Sequence, residues 1–314
     1  MRYNKVLVTG GCGFIGSNLV KFLIEKGNEV TVLDNFMSGY RSNLDFLNDV
    51  NIIEGDIRDE SIVKKAIKGA KVIFHLAASV GNKRSIDFPI VDAQINVIGT
   101  LNLLEAARKE GVRKIVTSSS AGIFGELKTL PINESHPIDP DSPYGCTKLC
   151  EEKLCLAYAK LYNIEAVCLR YFNVYGPNQR YDAYGNVIPI FVYKMLNNEP
   201  IIIYGDGEQT RDFVHVDDVV QANINAANSI GINGAFNIAS GKRVTINRLV
   251  EIITKNHKQS VKIEYVNQRS GDVLHSLADI SMAQQRINYF PSVDLEFGVD
   301  GYVEWAKKIY SKNK

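Results

Sequence analysis

The first half of the chain alternates short apolar runs with helical patterns, and this alternation most constrains the fold. The runs rich in valine and isoleucine predict strands at residues 5–10, 29–35, 51–57, 71–78, 114–120 and 165–174. The apolar spacing between them predicts helices at Phe14–Lys26, Asp59–Gly69, Asp92–Glu110 and Pro143–Tyr162. Because strands that are apolar on both faces alternate with helices, the pattern predicts an α/β fold with a doubly wound parallel sheet.

The pattern loosens in the second half, where turn sequences are more frequent. This part of the chain predicts a helix at 188–197, a strand at 201–205 and a buried strand at 235–240. We therefore predict a first domain over residues 1–173 and a smaller mixed α/β domain over residues 174–314. We expect the strand near 235–240 to rejoin the sheet of the first domain.

The composition is that of an ordinary globular protein, with 45% hydrophobic and 23% charged residues in 314. The formal net charge of +1 gives no large field of one sign to attract nucleic acid or an anionic membrane. The first apolar run is too short for a signal peptide, and no run approaches the ~18 residues of a membrane span. Five cysteines without CxxC spacing indicate reduced packing residues. These features predict a cytoplasmic protein with no nucleic-acid, membrane or metal partner.

The stretch VLVTGGCGFIGSNL places Gly10, Gly13 and Gly16 between a predicted strand and a predicted helix. Such a turn lets the backbone approach a pyrophosphate, while free N–H groups and the helix dipole face the phosphates. Asp34 ends the next strand, where a carboxylate accepts hydrogen bonds from an adenosine ribose and repels a 2′-phosphate. The context predicts a Rossmann-type dinucleotide site that prefers NAD to NADP. The alternative is a strand–turn–helix that binds no ligand.

The sequence SPYGCTK predicts the start of a helix, with Ser142 as its cap and Pro143 in its first position. Tyr144 and Lys148 then lie one turn apart on the same face. With its ordinary pKa of ~10, a tyrosine is a poor base at neutral pH. A neighbouring ammonium group and a positively charged nicotinamide ring would lower that pKa toward the working pH. A surface pair of tyrosine and lysine is the alternative interpretation.

The serine-rich sequence TSSSAGIFG, residues 117–125, ends the fifth predicted strand, at the edge where open α/β sheets place their active sites. A polar loop would have a similar composition. The glycine turn, Asp34, the serines, Tyr144 and Lys148 together, in this order and spacing, favour an active site over the alternatives.

The first domain resembles the short-chain dehydrogenases in its GxxGxxG spacing, its GDI turn at 55–57 and its HLAA loop at 75–78. The whole chain resembles the extended branch known as the NAD-dependent epimerase/dehydratase family, and within it the UDP-glucose and UDP-N-acetylglucosamine 4-epimerases. Three further motifs carry this resemblance: RYFNVYGP at 170–177, GDGEQTRDFVHVDDV at 205–219 and RSGDV at 269–273. The last motif has Ser270 where the family usually has proline.

The resemblance implies a catalytic set of Tyr144 as base, Lys148 as the group that stabilises the tyrosinate and holds the nicotinamide ribose, and Ser120 as a hydroxyl for the substrate oxygen. The residues that it assigns to NAD binding are Gly10, Gly13, Phe14, Ile15, Gly16, Asp34, Asn35, Ser38, Gly39, Asp56, Ile57, Leu76, Ala77, Ala78, Asn96, Tyr144, Lys148, Tyr171 and Val174. For Asn96, a purely structural role in its helix is the alternative.

The resemblance also implies a UDP-sugar substrate, with arginines at its diphosphate. The residues that it assigns to substrate binding are Ser120, Tyr144, Asn173, Asn186, Val187, Ile202, Tyr204, Arg211, Arg269, Asp272 and Ser276. A surface charge is the alternative for each arginine. Ser276 corresponds to a position beside C2 of the sugar, where a bulky residue excludes N-acetyl groups, so both UDP-hexoses and their N-acetyl forms are expected to enter.

Family members that eliminate water or carbon dioxide place acidic residues directly after the active serine or threonine, whereas Ala121 and Gly122 follow Ser120 here. This difference favours NAD-dependent 4-epimerisation of UDP-hexoses through a 4-keto sugar. Epimerisation of another nucleotide sugar, a UDP-uronic acid at C4 or a sugar at C2, remains open, as does an NAD-sensing protein without catalysis. The resemblance further implies a homodimer through the helices at 92–110 and 143–162, although core burial would produce the same apolar stripe.

Overall fold

A computed structural model describes residues 3, 5–47, 50–181, 185–257, 260–268 and 273–310. The strands in chain order are β1 (Lys5–Thr9), β2 (Glu29–Asp34), β3 (Val50–Glu54), β4 (Val72–His75), β5 (Lys114–Ser120), β6 (Glu165–Tyr171), β7 (Asn173–Tyr175), β8 (Ile201–Tyr204), β9 (Thr210–Arg211), β10 (Phe213–His215), β11 (Gly234–Ile238), β12 (Val244–Thr245) and β13 (Ile263–Val266). Seven of them form a central, wholly parallel sheet in the order β11, β6, β5, β4, β1, β2, β3.

Helices connect and cover these strands. The α-helices in chain order are α1 (Phe14–Glu25), α2 (Glu60–Ile67), α3 (Asn82–Asp87), α4 (Pro89–Ala93), α5 (Thr100–Glu110), α6 (Pro143–Leu161), α7 (Val187–Leu196), α8 (Val216–Asn228), α9 (Ile246–Thr254), α10 (Ser281–Ile287) and α11 (Leu295–Tyr310). Among the described residues, none of these helices is long and apolar enough to cross a membrane.

Both faces of the central sheet are buried beneath helices. Val6 and Val8 of β1 pack into a core shared with α1 and α8, whereas Leu7 between them packs into a second core shared with α2 and α5. All three side chains are fully buried. Burial on both faces explains why the strands appear as continuous apolar runs in the sequence. The predicted α/β fold with a doubly wound parallel sheet is confirmed.

The third predicted helix starts earlier and is less regular than expected. It begins as α4 at Pro89, passes through a π-helical segment, Gln94–Gly99, and ends as α5 before Gly111, which has φ +70°. Within it, the hydroxyl of Thr100 donates a hydrogen bond to the carbonyl of Asn96 at 2.6 Å. Such side-chain bonds compete with the regular backbone ladder, which accounts for the local departure from α-helix.

The sixth predicted strand is divided in two. The N–H of Phe172 still donates to the carbonyl of Ile238 at 3.1 Å, but from Asn173 the chain turns away from the central sheet. There β7 pairs with β10 in a separate two-stranded sheet. The second predicted helix begins one residue later than expected, because Asp59 lies just before α2 and its carboxylate caps the helix by accepting hydrogen bonds from the next turn.

The remaining elements form a smaller assembly. In it β8 pairs with β13 and β9 pairs with β12, and α7, α9 and α11 contribute to a core of their own. β11 lies elsewhere, at the edge of the central sheet beside β6. The division into domains at residue 173 remains a prediction.

The cysteines only partly match the expectation of packing residues. Cys12, Cys155 and Cys168 are buried, but Cys146 is exposed and Cys150 is half-buried, because both lie on parts of α6 that the rest of the chain does not cover completely.

A buried ion pair joins α6 to β6 and generates a prediction. Arg170 donates two hydrogen bonds to Glu152, at 2.8 and 2.9 Å, and both side chains are almost fully buried. Substitution Arg170→Met would leave the Glu152 charge unpaired, so we expect the free energy of unfolding to fall by about 3–5 kcal/mol. Urea denaturation measures the change. The control Arg248→Met removes exposed ion pairs to Glu251 and Glu296 and should change stability little. Equal losses in the two variants would contradict the prediction.

Candidate active site

Tyr144 lies in the first turn of α6, whose start is built as predicted. Ser142 caps the helix by accepting a hydrogen bond from the N–H of Gly145 at 3.1 Å, and Pro143 occupies the first position. The N–H of Tyr144 donates to Oγ of Ser85 at 3.0 Å, which ties this turn to α3. These contacts fix the backbone that carries the Tyr144 ring.

Ser120 is the last residue of β5, at the carboxyl edge of the central sheet. Its hydroxyl accepts a hydrogen bond from the N–H of Gly122 at 3.1 Å, and Ser120 lies close enough to Tyr144 to lower the pKa of that phenol. A Cβ placed on Gly122 would lie 3.8 Å from the Tyr144 ring, so the ring passes close to this backbone. The structure thus brings Ser120 and Tyr144 together.

The surroundings of Tyr144 act on its pKa in opposing directions. Burial raises this pKa, and the negative charges of Glu151 and Asp92 raise it further, while the Lys148 ammonium and the neighbouring Ser120 side chain lower it. The net result is a raised pKa. Lys148 therefore acts in the predicted direction but does not outweigh burial in the protein alone.

Lys148 is almost completely buried, one turn further along α6. Its Nζ donates to Oε2 of Glu151 at 2.6 Å and to Oγ of Ser118 at 3.3 Å. Burial lowers the pKa of Lys148, but the charge of Glu151, the hydrogen bond to it and the neighbouring Tyr144 and Cys155 together outweigh this effect, so the pKa is raised and the group stays an ammonium. Sequence reasoning misses Glu151, although the letters KLCEE place two carboxylates just after the lysine.

The glycine turn between β1 and α1 has no room for side chains at two positions. Gly10 has φ +68°, and a Cβ there would lie 2.7 Å from the backbone nitrogen of Ala77. A Cβ on Gly16 would overlap the carbonyl oxygen of Gly10. The intervening Gly13 provides no side chain to cap α1, which starts at Phe14 and Ile15. The uncapped N–H groups and the positive end of the helix dipole suit the pyrophosphate of NAD.

Asp34, at the end of β2, is nearly buried beside this turn. Its carboxylate accepts hydrogen bonds from the N–H groups of Cys12 at 2.9 Å and Phe36 at 2.8 Å. Burial raises the pKa of Asp34, and these two bonds oppose the rise. The following loop also packs on the turn, since a Cβ on Gly39 would lie 2.8 Å from the Cys12 carbonyl carbon, whereas the adjacent Ser38 is exposed.

Asn35 and Asp56 lie at the ends of neighbouring strands and contact each other. Asn35 donates a hydrogen bond to Asp56 at 2.8 Å. The Arg58 guanidinium donates two more to the same carboxylate, which lowers the pKa of Asp56 to about 2. Ile57 differs from the other candidates for the adenosine end, because its side chain is buried against Gly99.

The predicted loop of Leu76, Ala77 and Ala78 follows β4 and lies against the glycine turn. The backbone N–H of Leu76 donates to the carbonyl of Thr9 at 3.1 Å, and that of Ala77 donates to the Thr9 hydroxyl at 3.3 Å. This candidate cofactor loop is therefore held directly beside Gly10.

Asn96 is fully buried, and its amide forms hydrogen bonds with other protein groups. It accepts from the N–H of Ser79 at 2.8 Å and donates to the Ser79 carbonyl at 3.1 Å and the Thr147 hydroxyl at 3.0 Å. These bonds support a structural role for Asn96, but one that extends beyond its own helix to the loop after β4 and to α6. A contact with the cofactor remains a prediction.

Tyr171 stands next to Ser120 in the central sheet, and Asn173 and Val174 follow it in β7 of the separate two-stranded sheet. The register of β5 and β6 pairs Ser120 with Tyr171, whose hydroxyl is hydrogen-bonded to Asn223. Val174 is buried in β7, and Asn173 before it is partly exposed. All three therefore lie close to the Ser120 end of the sheet.

Arg211 and Ser276 come together around β9. The Arg211 guanidinium donates to the carbonyl of Thr210 at 2.9 Å, and the N–H of Ser276 donates to that same carbonyl at 3.1 Å. The Ser276 residue is 8% exposed. Arg269 and Asp272 lie outside the described residues.

The other substrate candidates are more dispersed. Asn186 is exposed and precedes α7, which begins with Val187. Ile202 and Tyr204 are half-buried and alternate with fully buried residues of β8. The roles of these four residues in substrate binding remain predictions.

The close packing at Gly16 generates a prediction. Gly16→Ala forces a methyl group into the Gly10 carbonyl, so we expect a lower melting temperature and loss of the stabilisation that added NAD gives. Gly301→Ala is the matched control: this glycine lies inside α11, and among the described residues no atom outside its own helical turn lies within 4 Å of its Cβ position. Removing a helix glycine there should raise the free energy of unfolding by about 0.5–1 kcal/mol. A Gly16→Ala protein that NAD still stabilises normally would contradict the prediction.

Known proteins resemble the whole chain. The sequence profile of the family described as NAD dependent epimerase/dehydratase matches residues 6–239. The putative UDP-glucose 4-epimerase of Methanocaldococcus jannaschii is 41% identical over 304 residues, covering 96% of this chain and 98% of the relative.

Two solved structures are similar along their full length. The UDP-N-acetylglucosamine 4-epimerase of Methanobrevibacter ruminantium, in complex with UDP-N-acetylmuramic acid, has a TM-score of 0.94 and 39% identity, covering 98% of this chain and 100% of that structure. The UDP-glucose 4-epimerase of Thermotoga maritima, with UDP-glucose, has a TM-score of 0.91 and 39% identity, covering 98% and 99%. These matches confirm the predicted resemblance and NAD as the predicted cofactor. The chain belongs to the NAD dependent epimerase/dehydratase family.

Proposed function

We propose that this protein is an NAD-dependent UDP-sugar 4-epimerase that interconverts UDP-glucose and UDP-galactose. The observation that carries the proposal is the close approach of Ser120 and the Tyr144 ring at Gly122, together with the buried ammonium of Lys148 one helical turn away. A phenol, a hydroxyl and a cation at the carboxyl edge of a parallel sheet can move a proton to and from a sugar hydroxyl. The names of the similar proteins support the same reaction.

The chain's own residues would manage the proton. Bound NAD would supply the redox chemistry, as the acceptor and donor of hydride at C4 of the sugar. Tyr144, as tyrosinate, takes the proton of the 4-hydroxyl and later gives it back. Ser120 bridges the hydroxyl and Tyr144, and Lys148 stabilises the tyrosinate by its charge. The reaction ends with no net oxidation, so it needs no other oxidant or reductant.

The sugar must turn between the two transfers while its diphosphate stays anchored. Arg211 is the described candidate for this anchor, because a guanidinium is permanently charged and suits phosphate oxygens. Ala121 and Gly122 follow the active serine, so no carboxylate directly after it would protonate a leaving hydroxyl. This absence at two sequence positions favours epimerisation over elimination.

We also propose a homodimer, formed through the region of α4, α5 and α6. Apolar side chains in this region are exposed in the single chain, among them Ile98 at 49% and Leu161 at 70%. A second copy of the chain would bury this surface.

The first test of the function is direct. Purified protein supplied with UDP-galactose and no added NAD should form UDP-glucose, because the cofactor returns to its starting state in each cycle. Tyr144→Phe should reduce turnover by several powers of ten while NAD binding stays intact, since only the phenolic oxygen is removed. Near-normal turnover in the variant would reject Tyr144 as the base. Absence of UDP-glucose with the wild-type protein, retested with added NAD, would reject the activity.

We further propose that UDP-N-acetylglucosamine and UDP-N-acetylgalactosamine are substrates. The small side chain of Ser276 would leave room for an acetamido group at C2. Ser276→Tyr should therefore lower kcat/KM for the acetylated pair by at least tenfold relative to the unacetylated pair, whereas Ser276→Ala should spare both. Parallel assays of the four UDP-sugars measure this. An equal loss for both pairs in the tyrosine variant would count against the assignment.

A further inference from the structure

A buried carboxylate stands behind the catalytic candidates and has no part in the mechanism above. Tyr144, Lys148 and Glu151 follow one another along one face of α6 at intervals of four and three residues. Glu151 is 1% exposed. Its Oε2 accepts a hydrogen bond from Nζ of Lys148 at 2.6 Å, and its Oε1 accepts one from the Thr117 hydroxyl at 2.5 Å.

The other ionisable groups around this carboxylate leave Lys148 as its cationic partner among the described residues. His75 of β4 approaches to 3.9 Å, but burial and the charge of Lys148 lower its pKa to about 3, so it is neutral. The neighbouring Glu152 is paired with Arg170 of β6. The remaining ionisable groups of this region are Asp92 of α4, Cys150 and Cys155 of α6, and Cys168 and Tyr171 of β6.

We propose that Glu151 is a positioning residue that anchors the Lys148 ammonium and offsets much of its charge at Tyr144. The proposal rests on the proposed function, in which Tyr144 is the base. With Ser118 and Glu151 as acceptors, two of the three N–H bonds of Lys148 are committed within the protein. The third is left for the cofactor or the tyrosinate.

The pairing of Lys148 with Glu151 should weaken the stabilisation that Lys148 gives to the phenolate of Tyr144. An ammonium paired with a carboxylate has no net charge, so it stabilises a nearby phenolate less than an ammonium alone. Burial is the largest cause that raises the pKa of Tyr144, and the charge of Glu151 adds to it. In the free protein Tyr144 therefore stays protonated at neutral pH. Positive charge supplied with bound NAD becomes the decisive factor for forming the base.

Two variants separate anchoring from charge. Glu151→Gln keeps an acceptor for Lys148 but removes the charge, so the ionisation of Tyr144 should move to lower pH by about one unit. The acidic limb of the pH profile of kcat/KM should move down with it, because the active form is the tyrosinate. Glu151→Ala removes the anchor as well, and kcat at its optimal pH should fall about tenfold.

The experiment is a pH titration of phenolate absorbance in the NAD-loaded protein, recorded as a difference from the same protein carrying Tyr144→Phe. This difference isolates one tyrosine and needs no turnover, so it tests Glu151 even where the proposed activity fails. Glu60→Gln is the matched control, because Glu60 contacts Lys64 at the same 2.6 Å on an exposed surface. It should leave the titration unchanged.

A downward shift in Glu151→Gln, absent in the control, is the expected result. A Tyr144 titration that stays unchanged or moves to higher pH would overturn the proposal. It would mean that Lys148 had lost its own proton or that Glu151 had never offset the charge of Lys148. If Glu151→Gln does not fold, Glu151→Ala gives a second measurement. It removes the same charge, so the Tyr144 titration should again move to lower pH. No shift in that variant would equally overturn the proposal.

Discussion

The site depends on how α6 is attached to the central sheet. Thr117 and Ser119, on the same face of β5, donate hydrogen bonds to the consecutive carboxylates Glu151 and Glu152 at 2.5 and 2.8 Å. These groups are buried, and a buried polar group that loses its partner is costly, so the bonds allow little rotation of α6. The position of Tyr144, two turns earlier in the helix, follows from this attachment.

Features set by local chemistry could be predicted from the sequence. Ser142 caps α6 because its side chain reaches the N–H groups of the next turn, and Gly111 ends α5 because it adopts a left-handed conformation at little cost. The strands were recognisable because both of their faces are apolar. The position of Asp34 beside the glycine turn could be predicted because parallel strands end at the same edge of the sheet.

Features set by contacts between distant segments could not be predicted in this way. The amide of Asn96 joins a loop and two helices, and nothing in its neighbouring residues indicates those partners. The choice of Glu151 for Lys148 and of Glu152 for Arg170 depends on the rotation of α6 against β5. The sequence showed two adjacent carboxylates but not which cation each would meet. The raised pKa of Tyr144 is likewise a result of burial, which only the assembled fold determines.

The return of β11 to the central sheet restricts how this architecture can be recombined. After β6 the chain builds β7 to β10, α7 and α8, and then places β11 beside β6. A hybrid joined at residue 173 would take β1 to β6 from one protein and β11 from another. The open edge of β6 would then have to pair with a strand that fits a different neighbour. We therefore expect that sugar specificity cannot easily be exchanged between homologues by replacing one contiguous segment of the chain. Viable hybrids would keep β11 and α8 with their original sheet and graft only the segments that lie outside it.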